Sequence, residues 1–277
     1  MTLRSANINV MIKAARKAGR SLIHDFNEVE QLQVSTKGPA DFVSNADFKA
    51  ERILIDELQY ARPDWGMLVE EQGEIIGKDG EHRWIIDPLD GTLNFLHSIP
   101  HFAISIGLER RGEIIAGGIY DPLRDEFFWA EKGRGCFLDS RRLRVSARKK
   151  MVESVFATGI PCANRKSREP WLDEAAVLMP QVAGIRRFGA ASLDLAYVAA
   201  GRYEGFWERG LAPWDVAAGI IIVKEAGGIV SDFDSSNTMM SSGDIVAANP
   251  DMHTPLIRAL RKAEKATKRR QAEADGA

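Results

Sequence analysis

The 277-residue chain sets 37 Lys+Arg against 39 Asp+Glu, a formal charge of −2, and its 45% apolar residues suffice for a core in one large domain or two closely joined ones. Near-neutrality excludes a nucleic-acid field spread over the whole surface, and a complement of two cysteines, Cys136 and Cys162, excludes a disulfide framework. The balance hides a split, because residues 258–277 carry +4 and residues 1–257 carry −6.

Residues 1–19 carry charges every few positions where a signal peptide needs an unbroken apolar stretch. No run approaches the roughly 20 apolar residues that span a bilayer, so a soluble, cytoplasmic chain is expected. From Ile8 to Phe26 the apolar residues Ile8, Met11, Ile12, Ala15, Leu22, Ile23 and Phe26 recur at three- and four-residue steps, which predicts an amphipathic helix. A second helix is predicted over Ala46 to Tyr60, capped by Asn45 or Asp47 and followed by Pro63. Between them, residues 31–44 read as a strand running into a Gly-Pro turn, which leaves Lys37 and Asp41 on a loop.

After Trp65 the segments 66–71, 83–87, 102–110, 114–121, 126–132 and 141–146 are continuously apolar or alternate with period two, predicting strands of one large, mostly antiparallel sheet. From Ser154 strands alternate with helices: strands near 154–160, 184–189, 203–208, 228–233 and 245–249, helices near 168–182, 191–200 and 214–226, and a final helix. That alternation predicts an α/β layer. No linker rich in Pro, Gly or Ser separates the halves. The chain is therefore read as a single domain over 1–277 in two layered parts, about 1–150 and 151–262, with a basic tail 263–277 that frays after Lys268.

The chemistry concentrates in Asp87-Pro88-Leu89-Asp90-Gly91-Thr92, which follows the apolar run Trp84 to Ile86. Strand ends are where sites on α/β scaffolds are built. Pro88 fixes its own φ and Gly91 opens backbone conformations closed to residues with a Cβ, so the two carboxylates and the Leu89 carbonyl can turn toward one point. Thr92 would then open a short helix whose free N–H groups suit a phosphate. Glu70-Glu71 follows the apolar Met67 to Val69, and Asp215 opens the apolar helix through Ala226. Each segment alone has a plain reading, as a turn, a solvated loop edge and a helix cap. Together they form an oxygen-only donor set without His or Cys, which selects Mg²⁺ over zinc. Four convergent carboxylates cannot all stay ionised without cations between them.

These residues resemble the inositol monophosphatase family, within the magnesium-dependent, lithium-sensitive sugar phosphatases. The resemblance rests on Trp84 to Phe95, on Pro100 and Phe102 to Gly107, on Trp214 to Gly219 running to Lys224-Glu225-Ala226-Gly227-Gly228, on Glu70 to Gly73, and on Lys37 to Asp41 through Asp47. It covers about residues 8–262 and implies a layered α-β-α-β-α sandwich, usually a homodimer. On these positions it implies two or three Mg²⁺ ions: Glu70, Asp87 and the Leu89 carbonyl on a first, Asp87, Asp90 and Asp215 on a second, and a looser third near Glu70. Asp47 and Thr92 would orient the nucleophilic water with Glu70 as a further catalytic group. Gly91 and Thr92 would hold phosphate, Glu208 the inositol hydroxyls and Ala191 a neighbouring wall. Asp215 would also border the substrate, and Lys37 would reach phosphate or water.

The implied reaction is hydrolysis of a phosphorylated polyol, foremost inositol 1-phosphate, by direct attack of a metal-activated water. Ser105 and Cys136 are not nucleophile candidates, lying in strand-like sequence with no partnered base nearby. Fructose 1,6-bisphosphate, 3′-phosphoadenosine 5′-phosphate and histidinol phosphate remain alternative substrates. Pro161 to Pro170 offers three basic residues near the expected mouth, while His97 and His101 receive no role and Phe206 and Trp207 are expected in the core. A different class of function is a regulatory partner of the RNA polymerase machinery, with the +4 tail touching RNA or an acidic protein.

Overall fold

The structure, a computed structural model, describes residues 4–28, 34–38, 41–160 and 168–275. Helix α1 (Ala6–Asn27) buries Ile8, Met11, Ala15, Ala18 and Leu22 along one face, and Ser5 Oγ caps it by accepting the Ile8 N–H at 3.3 Å. Strands β1 (Val34–Gly38) and β2 (Asp41–Ser44) pair antiparallel, with Thr36 opposite Phe42 and Gly38 opposite Asp41. Lys37 and Asp41 therefore lie on two paired strands, not on a loop. Helix α2 (Asn45–Ala61) is capped by Ser44 instead of Asn45 or Asp47. Asp47 completes the capping box from inside the first turn, its Oδ2 accepting from Ser44 N at 2.9 Å and Ser44 Oγ at 2.7 Å.

The large sheet has eight strands. In chain order these are β3 (Gly66–Val69), β4 (Gly73–Ile75), β5 (His82–Asp90), β6 (Ala103–Arg110), β7 (Glu113–Asp121), β8 (Glu126–Glu131), β9 (Gly135–Leu138) and β10 (Arg141–Leu143), with helix α3 (Thr92–Leu96) between β5 and β6. The spatial order is β10-β9-β8-β7-β6-β5-β3-β4, antiparallel throughout except between β3 and β5. Two strands beyond the expected six, β4 and β9, are three and four residues long and open on Gly73 and Gly135 at φ of +79° and +89°. Positive-φ glycines read as turns in the sequence and hid both strands.

The second half follows the expected alternation: β11 (Val155–Thr158), α4 (Arg168–Leu178), β12 (Gly184–Arg186), α5 (Ala191–Ala199), β13 (Gly205–Glu208), α6 (Pro213–Glu225), β14 (Ile229–Ser231), α7 (Met239–Ser242), β15 (Ile245–Ala248) and α8 (Pro250–Asp275). Its five-stranded sheet runs β12-β11-β13-β15-β14, parallel at β12-β11-β13 and antiparallel beyond.

Three apolar clusters define a layered α-β-α-β-α stack. One joins α1 and α2 to a face of the large sheet, a second places α5 and α6 between the sheets, and a third packs α4 and α8 outside the five-stranded sheet. Contact between α6 and the large sheet is close enough that a Cβ at Gly117 would lie 2.7 Å from the Ala218 carbonyl oxygen. Asp215 is thereby brought from the second half of the chain onto the large sheet. Helix α8 continues to Asp275, and Thr267 Oγ1 and the Arg270 guanidinium both bond Asp173 of α4. Among the described residues no helix is long and apolar enough to cross a membrane.

Candidate functional site

The Asp87 to Asp90 segment lies inside β5, not beyond its end as expected. Asp87 pairs with Ser105 and Asp90 with Ala103, so three steps on β5 oppose two on β6. That bulge is the local device that re-aims the side chains. Pro88, which cannot donate to the ladder, is tolerated there, and Leu89 N donates to Asp87 Oδ1 at 2.9 Å. Gly91 follows with φ of +95°, where an added Cβ would come within 3.1 Å of the His101 carbonyl and 3.3 Å of the Gly189 carbonyl. A residue with a side chain fits neither the backbone angle nor the space.

Five elements converge on this bulge. From α2, Asp47 turns its Oδ1 to Thr92 Oγ1 at 3.0 Å, and the same hydroxyl lies 3.0 Å from the Leu89 carbonyl. From the end of β3, Glu70 is held by its N–H on the Ile86 carbonyl at 3.3 Å. From α5, Ala191 N meets Asp90 Oδ1 at 3.2 Å and Ser192 N meets Asp90 Oδ2 at 2.7 Å, with Ser192 Oγ bonded to the same oxygen. From the first turn of α6, Asp215 folds its Oδ2 back onto Ala212 N at 2.7 Å. Ser105 Oγ donates to the Trp214 carbonyl at 3.2 Å, tying β6 to the start of α6. Glu208 closes the group at the end of β13, packed so tightly on Gly159 that a Cβ there would lie 1.9 Å from its Oε1.

Electrostatics show that these carboxylates share one site. Burial raises Asp87 well above the usual carboxylate range, and the charges of Glu70, Asp90 and Asp215 raise it further. Asp215 is raised well above that range by burial, then by Asp90, Glu70 and Glu208. Asp90 is pushed up to about 6 by burial, against the bonds from Ser192 and Ala191. Asp47 is raised by burial and lowered by its Ser44 and Thr92 bonds. The charges that act most strongly on Asp87 are those of Glu70, Asp90 and Asp215, all negative, so the protein gathers anionic oxygens there.

That donor set fits a hard divalent ion. Among the described residues no three acidic, His or Cys side chains close to metal-holding spacing as they stand. The fit rests on the mutual repulsion of the four acids and on Glu51 of α2, fully buried, whose Oε1 has no partner while Oε2 takes the Glu71 N–H at 2.9 Å.

The structure thus brings Glu70, Asp47, Thr92, Gly91, Asp87, Leu89, Asp90, Ala191, Glu208 and Asp215 to one end of the β5 bulge. Lys37 is on β1 with its side chain outside the described residues, and residues 161–167, including Cys162, lie outside them as well, while Arg168 to Pro170 open α4. Cys136 is buried and its thiol is pushed up to about 12 by burial, which leaves it no role as a nucleophile. His101 is buried and lowered to about 4 by burial, while His97 is exposed. Phe206 and Trp207 are core residues as expected, Trp207 donating from Nε1 to Glu174 at 3.0 Å.

Four residues went unread. Ser192, Asp194, Gly159 and Glu51 all border the site, and Asp194 is raised well above the carboxylate range by burial, then by Glu208 and Asp90. Only Glu51 left a local signal: it lies one helical turn beyond Asp47, on the face of α2 that also buries Ala46, Ala50 and Leu54.

The model of the inositol monophosphatase family matches residues 4–265. The inositol-1-monophosphatase of Mesorhizobium japonicum is 54% identical over 259 residues, 94% of this chain and 97% of that protein. The Nus factor SuhB of Escherichia coli K12 is 42% identical over 254 residues, 92% of this chain and 95% of that protein. Among solved structures, the extragenic suppressor protein suhB of Bartonella henselae is similar with a TM-score of 0.91 and 55% identity, covering 93% of this chain and 99% of that one.

Proposed function

The chain belongs to the inositol monophosphatase family, and we propose on that premise that it hydrolyses inositol 1-phosphate to inositol and phosphate with the aid of Mg²⁺. It is a phosphate monoester hydrolase; the polyol, the metal and the roles of single residues are the proposed part. The observation that carries the reading is the acid set Asp87, Asp90 and Asp215 beside the Thr92–Asp47 pair: burial raises all three, the charges of Asp90 and Asp215 raise Asp87 further, and that of Asp90 raises Asp215 further.

In this reading Glu70, Asp87 and the Leu89 carbonyl would hold one Mg²⁺, and Asp87, Asp90 and Asp215 another, with room for a third, looser ion near Glu70. Bound Mg²⁺ supplies a water of lowered pKa and charge stabilisation for the leaving oxygen. Thr92 accepts a hydrogen bond from the attacking water while donating its own to Asp47 Oδ1, 3.0 Å away, so the pair fixes the direction of attack. The backbone N–H groups of Gly91 and Thr92 hold the phosphate oxygens. Glu208 accepts from the polyol hydroxyls, Ala191 forms the adjoining wall, and Lys37 of β1 supplies a cation to the phosphate side. The test is phosphate release from inositol 1-phosphate, fructose 1,6-bisphosphate, 3′-phosphoadenosine 5′-phosphate and histidinol phosphate, with and without Mg²⁺. The reading requires Mg²⁺-dependent turnover and a kcat/KM at least about tenfold higher for inositol 1-phosphate. Full activity in metal-stripped protein overturns it.

A second reading, compatible with the first, rests on the relative named Nus factor SuhB: association with the transcription machinery through the basic end of α8. Replacing Lys265, Lys268 and Arg269 by Gln tests it without unpinning Thr267. Salt-sensitive binding to RNA or RNA polymerase that survives those changes removes the helix end from consideration. A homodimer is the proposed assembly, and light scattering decides it.

A further inference from the structure

A cleft at the far end of α6 has no part in the phosphatase chemistry above. It encloses about 300 Å³ between residues 112–114, Lys132 after β8, the last turns of α6 and the start of α7, which is the lower end of the range for small-molecule sites. Ile114, Ile220, Ile221, Met239 and Met240 give it an apolar lining.

Its charged groups are not equivalent. Lys132 pairs with Glu113 at 2.5 Å. Glu225 is held by the N–H groups of Gly133 and Gly135 at 2.8 and 2.7 Å. Lys224 Nζ instead donates to the neutral Asn237 Oδ1 at 3.3 Å, and among the described residues it joins no ion pair. An ammonium has three donors, so donors remain at the mouth of the cleft.

The end of α6 does not cancel that charge. The carbonyls of Ile222, Val223 and Lys224 accept from Ala226, Gly228 and Gly227 at 3.1, 2.9 and 3.0 Å, so the negative end of the helix is largely satisfied by its own backbone. Desolvation lowers the Lys224 pKa despite the nearby Glu113, as expected of a cation short of counter-charge. An apolar lining with one under-neutralised cation at its rim selects a ligand with matching halves.

We propose that this cleft binds a small amphiphilic anion, an alkyl or acyl chain of about eight carbons bearing a carboxylate or phosphonate-like head. The chain lies over the isoleucines and methionines, and the head takes the free donors of Lys224.

The test uses full-length protein with ¹³C-labelled methionine methyls, titrated with octanoate, octylphosphonate, octanol and acetate. The Met239 and Met240 signals should move saturably with one or both octyl anions, with a Kd on the order of 0.1–1 mM, while octanol and acetate leave them unmoved. Octanoate and octylphosphonate compared directly tell which head the site takes. Lys224→Met should weaken binding at least tenfold, as should Met240→Glu, which sets a carboxylate in the cleft; the remaining methionine signals report that each variant is folded. Absence of saturable shifts, equal binding of octanol, or an unchanged Kd in Lys224→Met overturns the proposal.

Discussion

Thr92 reaches across 45 residues of sequence to set its hydroxyl 3.0 Å from Asp47 Oδ1. The hydroxyl has one proton, and the Leu89 carbonyl lies at the same distance, so Asp47 and Leu89 compete for it. With its one hydrogen donated to Asp47, the hydroxyl is oriented so that a lone pair can accept a hydrogen bond from water. Thr92→Val should therefore lower kcat by about 10²-fold or more, and Asp47→Asn by a similar factor. The double variant should lose little beyond the worse single one, because the two act as a unit. Asp47→Asn should also cost about 1 kcal/mol of stability, since the same carboxylate completes the α2 capping box. Steady-state kinetics and thermal melts on the three variants check this, and additive kcat losses would contradict it.

Ser192 holds Asp90 from the opposite side, through its backbone N–H at 2.7 Å and its hydroxyl. Supporting groups of this kind typically cost 10–100-fold in metal affinity when removed. Ser192→Ala is expected to weaken Mg²⁺ binding by roughly that factor in calorimetric titrations, with Ser192→Thr retaining most of it. Equal affinity in wild type and Ser192→Ala would show that the backbone N–H groups of α5 orient Asp90 unaided.

The difference between Thr92 and Ser192 shows what the sequence made legible. Asp87, Leu89, Asp90, Gly91 and Thr92 lie within six consecutive positions, so their turn chemistry and position after an apolar run could be read directly. Ser192 meets Asp90 across 102 residues, and nothing near it announces an acid. Gly159 and Asp194 acquire meaning only once β11, β13 and α5 lie side by side. Periodicity revealed the helices and long strands because each buries a whole face. It missed β4 and β9, whose few residues begin on positive-φ glycines. The error at β5 has the same root: Asp-Pro-x-Asp-Gly looks like a turn, and here the turn-forming residues build a bulge within a strand.

The buried acids make metal-free stability depend on pH in a stated direction. Folded-state pKa values are raised for Asp87, Asp90 and Asp215, to about 6 for Asp90, above an unfolded value near 3.9. A raised carboxylate favours the protonated folded form, so its contribution is complete below about pH 4 and is lost as pH rises through the folded value. Metal-stripped protein is expected to melt on the order of 5 °C lower at pH 8 than at pH 5. Saturating Mg²⁺ should remove most of that fall, because it binds the ionised form. Calorimetric scans across pH with chelator and with Mg²⁺ make the comparison; a metal-free melting point that rises over this interval would contradict the assignment.

Glu208 and Gly159 offer a way to separate substrate preference from turnover. A methyl group at Gly159 would fall 1.9 Å from Glu208 Oε1, and since that oxygen belongs to a side chain, the carboxylate yields before the backbone does. Gly159→Ala should displace Glu208 without altering its charge, whereas Glu208→Gln removes the charge with little displacement. If Glu208 accepts bonds from the polyol, both variants raise KM for inositol 1-phosphate by about tenfold, the worth of one substrate hydrogen bond. Neither should much affect hydrolysis of a phosphate ester without a polyol, such as p-nitrophenyl phosphate. The acids proposed to hold metal remain in place, so kcat on that simple ester serves as the internal control. Loss of activity on both substrates in equal proportion would assign Glu208 instead to the electrostatics of Asp194 and Asp215, on which its charge also acts.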